Sequence, residues 1–151
     1  LEASGEAEIE SLLSAKGKTM PVLLPGATFF MNMEYAPARR MIDAGLPMAV
    51  ASNYNPGSCP AGDMKFMIAL ACMKTKLSPE EAINGATING AFAMGVEDEC
   101  GSISVGKKAN FFITKEIPSY EYLTYAFASP LIDTVVLNGK IILLLIFIFI
   151  I

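Results

Sequence analysis

The 151-residue sequence contains no histidine. That absence excludes a histidine-ligated zinc site, a Ser-His-Asp triad or a Cys-His dyad built from this chain alone. Charge is sparse as well: 17% of residues are charged, with 11 Lys+Arg against 15 Asp+Glu, a net charge of −4, and no basic run. Nucleic acid is therefore disfavoured as the main partner. The cysteines are Cys59, Cys72 and Cys100, an odd number with no CxxC. This argues against a secreted disulfide framework and fits a reducing cytoplasm. The chain shows neither an internal repeat nor a low-complexity linker. Apolar residues, by contrast, make up 53% of it. Disorder is thereby excluded, and the length suits one domain or one piece of a larger one.

Both ends read as abnormal. The sequence opens on Leu1 with no signal-peptide pattern and closes on IILLLIFIFII, Ile141 to Ile151. As a helix that tail would span about 16 Å, against a bilayer core of roughly 30 Å. Its β-propensity, lack of charge and lack of proline form an aggregation signature. A truncated or frame-changed terminus is expected there in preference to a membrane anchor.

Between the ends the pattern alternates. Gly5 to Ala15 reads as a helix, with Ile9, Leu12 and Leu13 at helical spacing and Gly17 as its stop. Met20 to Leu24 is a short continuous apolar run ended by Pro25-Gly26, which suits a buried strand. A helix is predicted from Pro37, with Ala38, Met41 and Ile42 as its stripe and Gly45 as its end. Met48 to Ala51 reads as a second buried strand. Strand, helix and strand with short links make a βαβ unit with parallel strands. The loop Ser52 to Asp63 leaves the C-terminal end of that second strand, the end where sites sit in parallel α/β folds. Met64 to Thr75 is again helical. Ser78, Pro79 and Glu81 form a capping-box start for a helix to about Ile83, and another covers Ala86 to Met94 with Gly95 as its stop. From there the character turns to β: SISVGKKANFFIT carries short alternating segments, and Asn138-Gly139 lies between apolar runs as a hairpin turn.

Three segments carry a family resemblance: SNYNPGS (Ser52 to Ser58), SPEEAINGATINGAFAMG (Ser78 to Gly95) and GSISVGKKANFFI (Gly101 to Ile113). Together they resemble the C-terminal part of the amidohydrolase superfamily, and within it the imidazolonepropionase family of cyclic-amide hydrolases that act in histidine breakdown. The likeness runs from about residue 1 to Lys140. Gly101 to Ile113 identifies only the superfamily, whereas the Asn55-Pro56-Gly57-Ser58 loop is more specific. The resemblance implies an α/β fold, the C-terminal part of a (β/α)8 metal-dependent hydrolase barrel plus strands of a small flanking β-sandwich. The expected division is 1–100 for the barrel part, 101–140 for sandwich strands and 141–151 for the apolar tail. A whole barrel takes about 250 residues, so this chain supplies only its last strands.

The family's chemistry, as the resemblance implies it, is metal-assisted hydrolysis. Zinc or iron in the intact parent enzyme lowers the pKa of a bound water to about 7 and polarises the ring carbonyl. The metal-binding histidines lie on earlier strands. An aspartate after the last barrel strand ligates the metal and takes the water's proton, and here that position is Asn53. An amide is neutral, so it offers at most a weak oxygen ligand and no base. Asn55, Gly57 and Ser58 match the family's substrate-contacting positions. The implied small-molecule substrate is imidazolone propionate, opened to N-formimino-L-glutamate; this chain alone is expected to be inactive and to bind no metal.

Read from the residues alone, Asn53 is a loop residue bonding its own backbone, and N-P-G-S is ordinary turn chemistry. Arg39 and Arg40 read as a solvated helix face rather than an anion site. Met64, Met67 and Met73 are expected in the core, and Glu80 and Glu81 at a helix start. Cys59 receives no role. A second reading stays open, a non-catalytic binding or assembly domain of the same fold, with possible homo-oligomers. A peptide held to membranes by its tail ranks last.

Overall fold

The computed structural model describes residues 1–142 of the chain; most of the apolar tail, residues 143–151, lies outside the described residues. Helix α1 spans Glu6–Ser14. Its start is half a capping box: Glu8 Oε2 accepts the Gly5 N–H at 2.8 Å, while Gly5 has no side chain to return the bond. Ile9 is buried and Leu12 and Leu13 pack against the core from the side. Strand β1 (Val22–Leu23) leads into α2 (Pro25–Phe30). The sequence reading used Pro25-Gly26 only as a strand stop. Proline at the first helical position instead opens a helix, because its fixed φ suits the first turn and its missing N–H is not needed there.

Helix α3 spans Ala38–Asp43, with Pro37 as its cap rather than its first residue. It ends in a Schellman turn: Leu46 N–H reaches Met41 O at 3.0 Å and Gly45 N–H reaches Ile42 O at 2.8 Å. Gly45 takes the positive φ, +88°, that this turn requires. The chain then enters β2 (Ala49–Val50), which pairs in parallel with β1, Val22 opposite Ala49 and Leu23 opposite Val50. The expected βαβ order is present, with α2 and α3 between the strands.

Helix α4 (Met64–Thr75) starts at Asp63, whose carboxylate accepts the Lys65 N–H at 2.8 Å. Met67 and Leu70 on it are fully buried beside Met41, Leu46 and Met48, and these residues form the centre of the core. Met73, expected there, is 47% exposed. Six residues on from Met67 at 100° per residue, it has turned off the buried face. Helix α5 (Pro79–Ala86) carries the expected capping box: Ser78 Oγ accepts the Glu81 N–H at 3.3 Å and Glu81 accepts the Ser78 N–H at 2.8 Å. It runs beyond Ile83, and a break at Thr87 separates it from α6 (Ile88–Ala93). Helix α5 lies close on β2. A Cβ on Gly85 would stand 2.9 Å from Val50 Cγ2 and 3.2 Å from Met48 O. Asn89 on α6 donates to Met48 O at 2.9 Å, satisfying a carbonyl at the entrance to β2.

The C-terminal part is an antiparallel sheet of β3 (Phe111–Thr114), β4 (Ile132–Leu137) and β5 (Lys140–Ile142), in the order β3-β4-β5. The hairpin turn at Asn138-Gly139 has φ of +49° and +76°, the left-handed pair that a two-residue hairpin demands. Only the end of SISVGKKANFFIT becomes strand. Residues 101–110 instead fold back on the preceding turn, where Lys108 N–H bonds Glu99 O at 2.8 Å and Lys107 Nζ reaches Cys100 O and Ser102 Oγ. A short helix, α7 (Tyr122–Tyr125), joins β3 to β4 and buries Leu123. Lys65 on α4 clamps the segment after it, donating to Phe127 O at 3.2 Å and Ser129 O at 2.8 Å. Among the described residues no helix is long and apolar enough to cross a membrane.

Candidate functional site

The candidate site is the connection from β2 to α4, residues 51–63. Its origin is fixed by the strand pair, since Ala51 N–H still bonds Leu23 O at 3.0 Å. Ser52 Oγ then accepts the Tyr54 N–H at 3.3 Å. Asn53 turns the chain with φ of +51°, a left-handed conformation that Asn and Asp tolerate better than other residues with a Cβ. Its side chain is exposed and makes no hydrogen bond to another described residue.

Asn55 organises the rest of the turn. Its Nδ2 donates to Asn53 O at 2.5 Å and to Ser58 Oγ at 2.9 Å. Its Oδ1 accepts the N–H of Gly57 at 2.9 Å and of Ser58 at 2.8 Å. Its backbone pairs with Cys59 in both directions, at 3.0 and 3.3 Å. One half-buried amide therefore joins Asn53, Gly57 and Ser58, which together with Asn55 are the four positions singled out in the sequence. Cys59 anchors the far side. It is buried, its thiol donates to Ala61 O at 3.4 Å, and it packs where a Cβ on Gly26 would come within 2.8 Å of its sulfur and 2.5 Å of Met67 Sδ. The sequence assigned Cys59 no role; its place beneath the loop depends on α2, which the sequence reading did not anticipate. Asp63 closes the loop as the cap of α4.

Beside the loop a cleft of about 730 Å³ runs from Ser52 along Val22 and Ala49 to Met94, Gly101 and Phe112. Its lining is mainly apolar. The Phe111-Phe112-Ile113 run was the one sequence signal for it: adjacent apolar residues point to opposite faces of a strand, so some must face away from the sheet's own core.

The charged residues near α5 have structural work instead. Arg39 chelates Glu81 at 2.8 and 3.1 Å and reaches Asp43 at 2.9 Å, so it joins α3 to the capping box of α5 rather than standing free in solvent. Its hydrogen bonds hold the Glu81 carboxyl below the usual carboxylate range. Arg40 pairs with Glu6. Glu80 accepts the Tyr120 hydroxyl at 2.5 Å, which lowers its own pKa and pushes that of Tyr120 up to about 12.

Among the described residues no group of three or more His, Cys, Asp or Glu comes together. The loop offers the neutral oxygens of Ser52, Asn53 and Ser58, and its one carboxylate, Asp63, is committed to the helix cap. These residues do not fit a zinc or iron centre, which needs anionic or imidazole ligands.

A parallel strand pair, the helices packed on it and a loop leaving the C-terminal end of the second strand place the chain in the α/β class. The chain belongs to the amidohydrolase family, whose model matches residues 4–142. It is similar to the imidazolonepropionases of Christiangramia forsetii (52% identical) and Flavobacterium johnsoniae (54% identical), each over 142 residues that make up 94% of this chain and 34% of the relative. The chain thus spans about a third of the length of the curated relatives it matches. Solved structures agree on the fold. An adenosine deaminase from Xanthomonas campestris with bound zinc superposes with a TM-score of 0.79 at 22% identity, covering 93% of this chain and 35% of that one. Escherichia coli guanine deaminase gives 0.76 at 15% identity, covering 94% and 37%.

Proposed function

We propose that this chain is the C-terminal part of an imidazolonepropionase-type hydrolase, and that the whole enzyme opens 4-imidazolone-5-propanoate with water to N-formimino-L-glutamate in the cytoplasm. The observation that carries the reading is the identity of 52–54% with imidazolonepropionases across 94% of the chain. On this reading residues 1–100 belong to a (β/α)8 barrel, with β1 and β2 as its last strands, and residues 101–140 supply strands of a flanking β-sandwich. The parent's metal would be zinc or iron, held by histidines that have no counterpart in this sequence.

Within the loop, Gly57 and Ser58 contact the small-molecule substrate, Gly57 by exposing backbone and Ser58 by its hydroxyl. Asn55 belongs to the same substrate-binding loop. Asn53 occupies the family's aspartate position. Its amide has no basic lone pair on nitrogen, so it cannot accept a proton from the attacking water. The chain by itself therefore binds substrate weakly and turns none over: purified chain with added Zn²⁺ or Fe²⁺ leaves 4-imidazolone-5-propanoate unhydrolysed above background. The reading itself is tested by grafting residues 4–142 into the Flavobacterium johnsoniae relative with Asn53→Asp. The expected graft hydrolyses 4-imidazolone-5-propanoate, and a folded, metal-loaded graft without that activity overturns the assignment.

The neutral Asn53 also favours a second reading, a binding or assembly domain of this fold without catalysis. Its signature is a folded, metal-loaded graft that binds 4-imidazolone-5-propanoate yet turns none over with either Asn53 or Asn53→Asp.

A further inference from the structure

A second cleft, of about 510 Å³, opens at the other end of the strand pair from the loop, where Met20 leads toward β1 and Pro47 toward β2. Helix α6 lines it with Ile88 and Phe92, which lie one turn apart on the same helix face. Both are exposed, 45% and 38%. Around this apolar floor stand three charged side chains, Lys16, Lys107 and Glu97. None of the three forms an ion pair with a described residue. Two polar groups of the cleft are pinned from behind. Lys107 Nζ donates to Cys100 O at 3.2 Å and to Ser102 Oγ at 2.9 Å; an ammonium has three hydrogens, so one remains to give. Asn89 Nδ2 donates to Met48 O at 2.9 Å, and its Oδ1 accepts from no described residue. Glu97 is in the opposite position. Its Oε2 is buried and has no hydrogen-bond partner among the described residues, so the carboxylate lacks the donor that an anion withdrawn from water requires.

We propose that this cleft binds a free dicarboxylic α-amino acid. The charges select it. Two ammonium groups and one carboxylate on the protein call for two carboxylates and one ammonium on the ligand. The ligand's ammonium is the donor that Glu97 lacks, with Asn89 Oδ1 as a second acceptor. One carboxylate takes the remaining N–H of Lys107, a charge-assisted hydrogen bond to a group already held in place. The other carboxylate reaches Lys16, whose long exposed stem adapts to the ligand's length. The methylene groups between them cover Ile88 and Phe92 and remove that surface from water. Other small ions match less of the cleft. Phosphate pairs the lysines but adds a like charge beside Glu97, and an apolar amino acid leaves one lysine unpaired. This inference does not depend on the activity proposed for the loop.

The test is isothermal titration calorimetry of the full chain with L-glutamate. Succinate, which lacks the ammonium, L-leucine, which lacks the second carboxylate, and inorganic phosphate are titrated beside it. L-Glutamate should bind saturably with a Kd of about 1 mM or tighter, and each of the other three about tenfold or more weakly. Glu97→Gln and Lys107→Met should each weaken L-glutamate by about tenfold or more. Lys108→Met is the control: Lys108 lies next to Lys107 in sequence but pairs with Glu99 and does not line the cleft, so its loss should leave the affinity unchanged. Circular dichroism verifies that each variant keeps the secondary structure of the parent, and the comparison of the four ligands needs no variant. The proposal is overturned if L-glutamate shows no saturable binding up to about 20 mM, or if succinate, L-leucine or phosphate binds as tightly. It is equally overturned if folded Glu97→Gln binds as the parent does, or if Lys108→Met loses as much affinity as Lys107→Met, since general surface charge would then account for the binding.

Discussion

Asn55 shapes the candidate site by spending its whole side chain on the loop. Both amide hydrogens and the carbonyl oxygen bond to Asn53, Gly57 or Ser58, so Asn55→Ala leaves two backbone N–H groups and the Ser58 hydroxyl without partners. The expected result is loss of hydrogen-exchange protection at the Gly57 and Ser58 amides, with the amides of α4 unchanged. Asn55→Asp keeps the acceptor and loses both donors, so protection at those two amides should persist in part. A second residue-scale effect involves pH. Arg39 lowers the pKa of Glu81 in the folded chain. A depressed carboxylate pKa adds stability above the unfolded value of about 4.3, and this is lost as pH falls through the lower folded value. Glu81→Gln should therefore flatten the pH dependence of urea midpoints below about pH 5, and an undiminished acid slope would contradict the assignment. The four loop positions were legible as residues. Their mutual bonding was not, because an N-P-G-S turn has the same composition whether its asparagine points outward or folds back on the backbone.

At the scale of elements, close approach between α5 and β2 sets the packing. Gly85→Ala would place a methyl group 2.9 Å from Val50 Cγ2 and 3.2 Å from a strand carbonyl. The helix must shift or the strand must yield, at a cost of about 1–3 kcal/mol read as a lower urea midpoint. Ser78→Ala, which removes one arm of the capping box, should cost about 1 kcal/mol by the same measurement. Those two elements show why parts of the fold could be read ahead. The capping box, the Gly45 stop and the Asn138-Gly139 turn are local devices, in which neighbouring residues satisfy one another's backbone groups. Helix α2 went unread because Pro25-Gly26 marks a strand stop as readily as a helix start, and α7 because four residues are too few to show a period. Residues 101–110 looked like strand by alternation, yet Lys107 and Lys108 bind the preceding turn and hold them in a loop.

For the molecule as a whole, the parallel pair β1–β2 raises the main question. Two residues from each strand are paired, and no third strand joins them among the described residues. Parallel strands are ordinarily covered on both faces and flanked by further strands, and here an apolar cleft of about 730 Å³ borders the pair. The chain spans about a third of the length of its curated relatives, which agrees with the proposal that these strands, helices and loop are one part of a larger barrel. The sequence carried the family's motifs plainly, since they are runs of adjacent residues. A catalytic centre assembled from distant segments leaves no such run, and among the described residues no group of three or more His, Cys, Asp or Glu comes together.

Asn53 tests the account most directly. Its left-handed backbone suits Asp as well as Asn, so exchanging the two changes charge and basicity with little change of shape. The measurement is kcat for 4-imidazolone-5-propanoate by two grafts into the Flavobacterium johnsoniae relative, one with Asn53 and one with Asn53→Asp, at equal metal content. The account predicts that the aspartate form turns over and that the asparagine form is slower by about 10²–10⁴-fold, the usual contribution of a positioned base. Equal rates in the two grafts would contradict it.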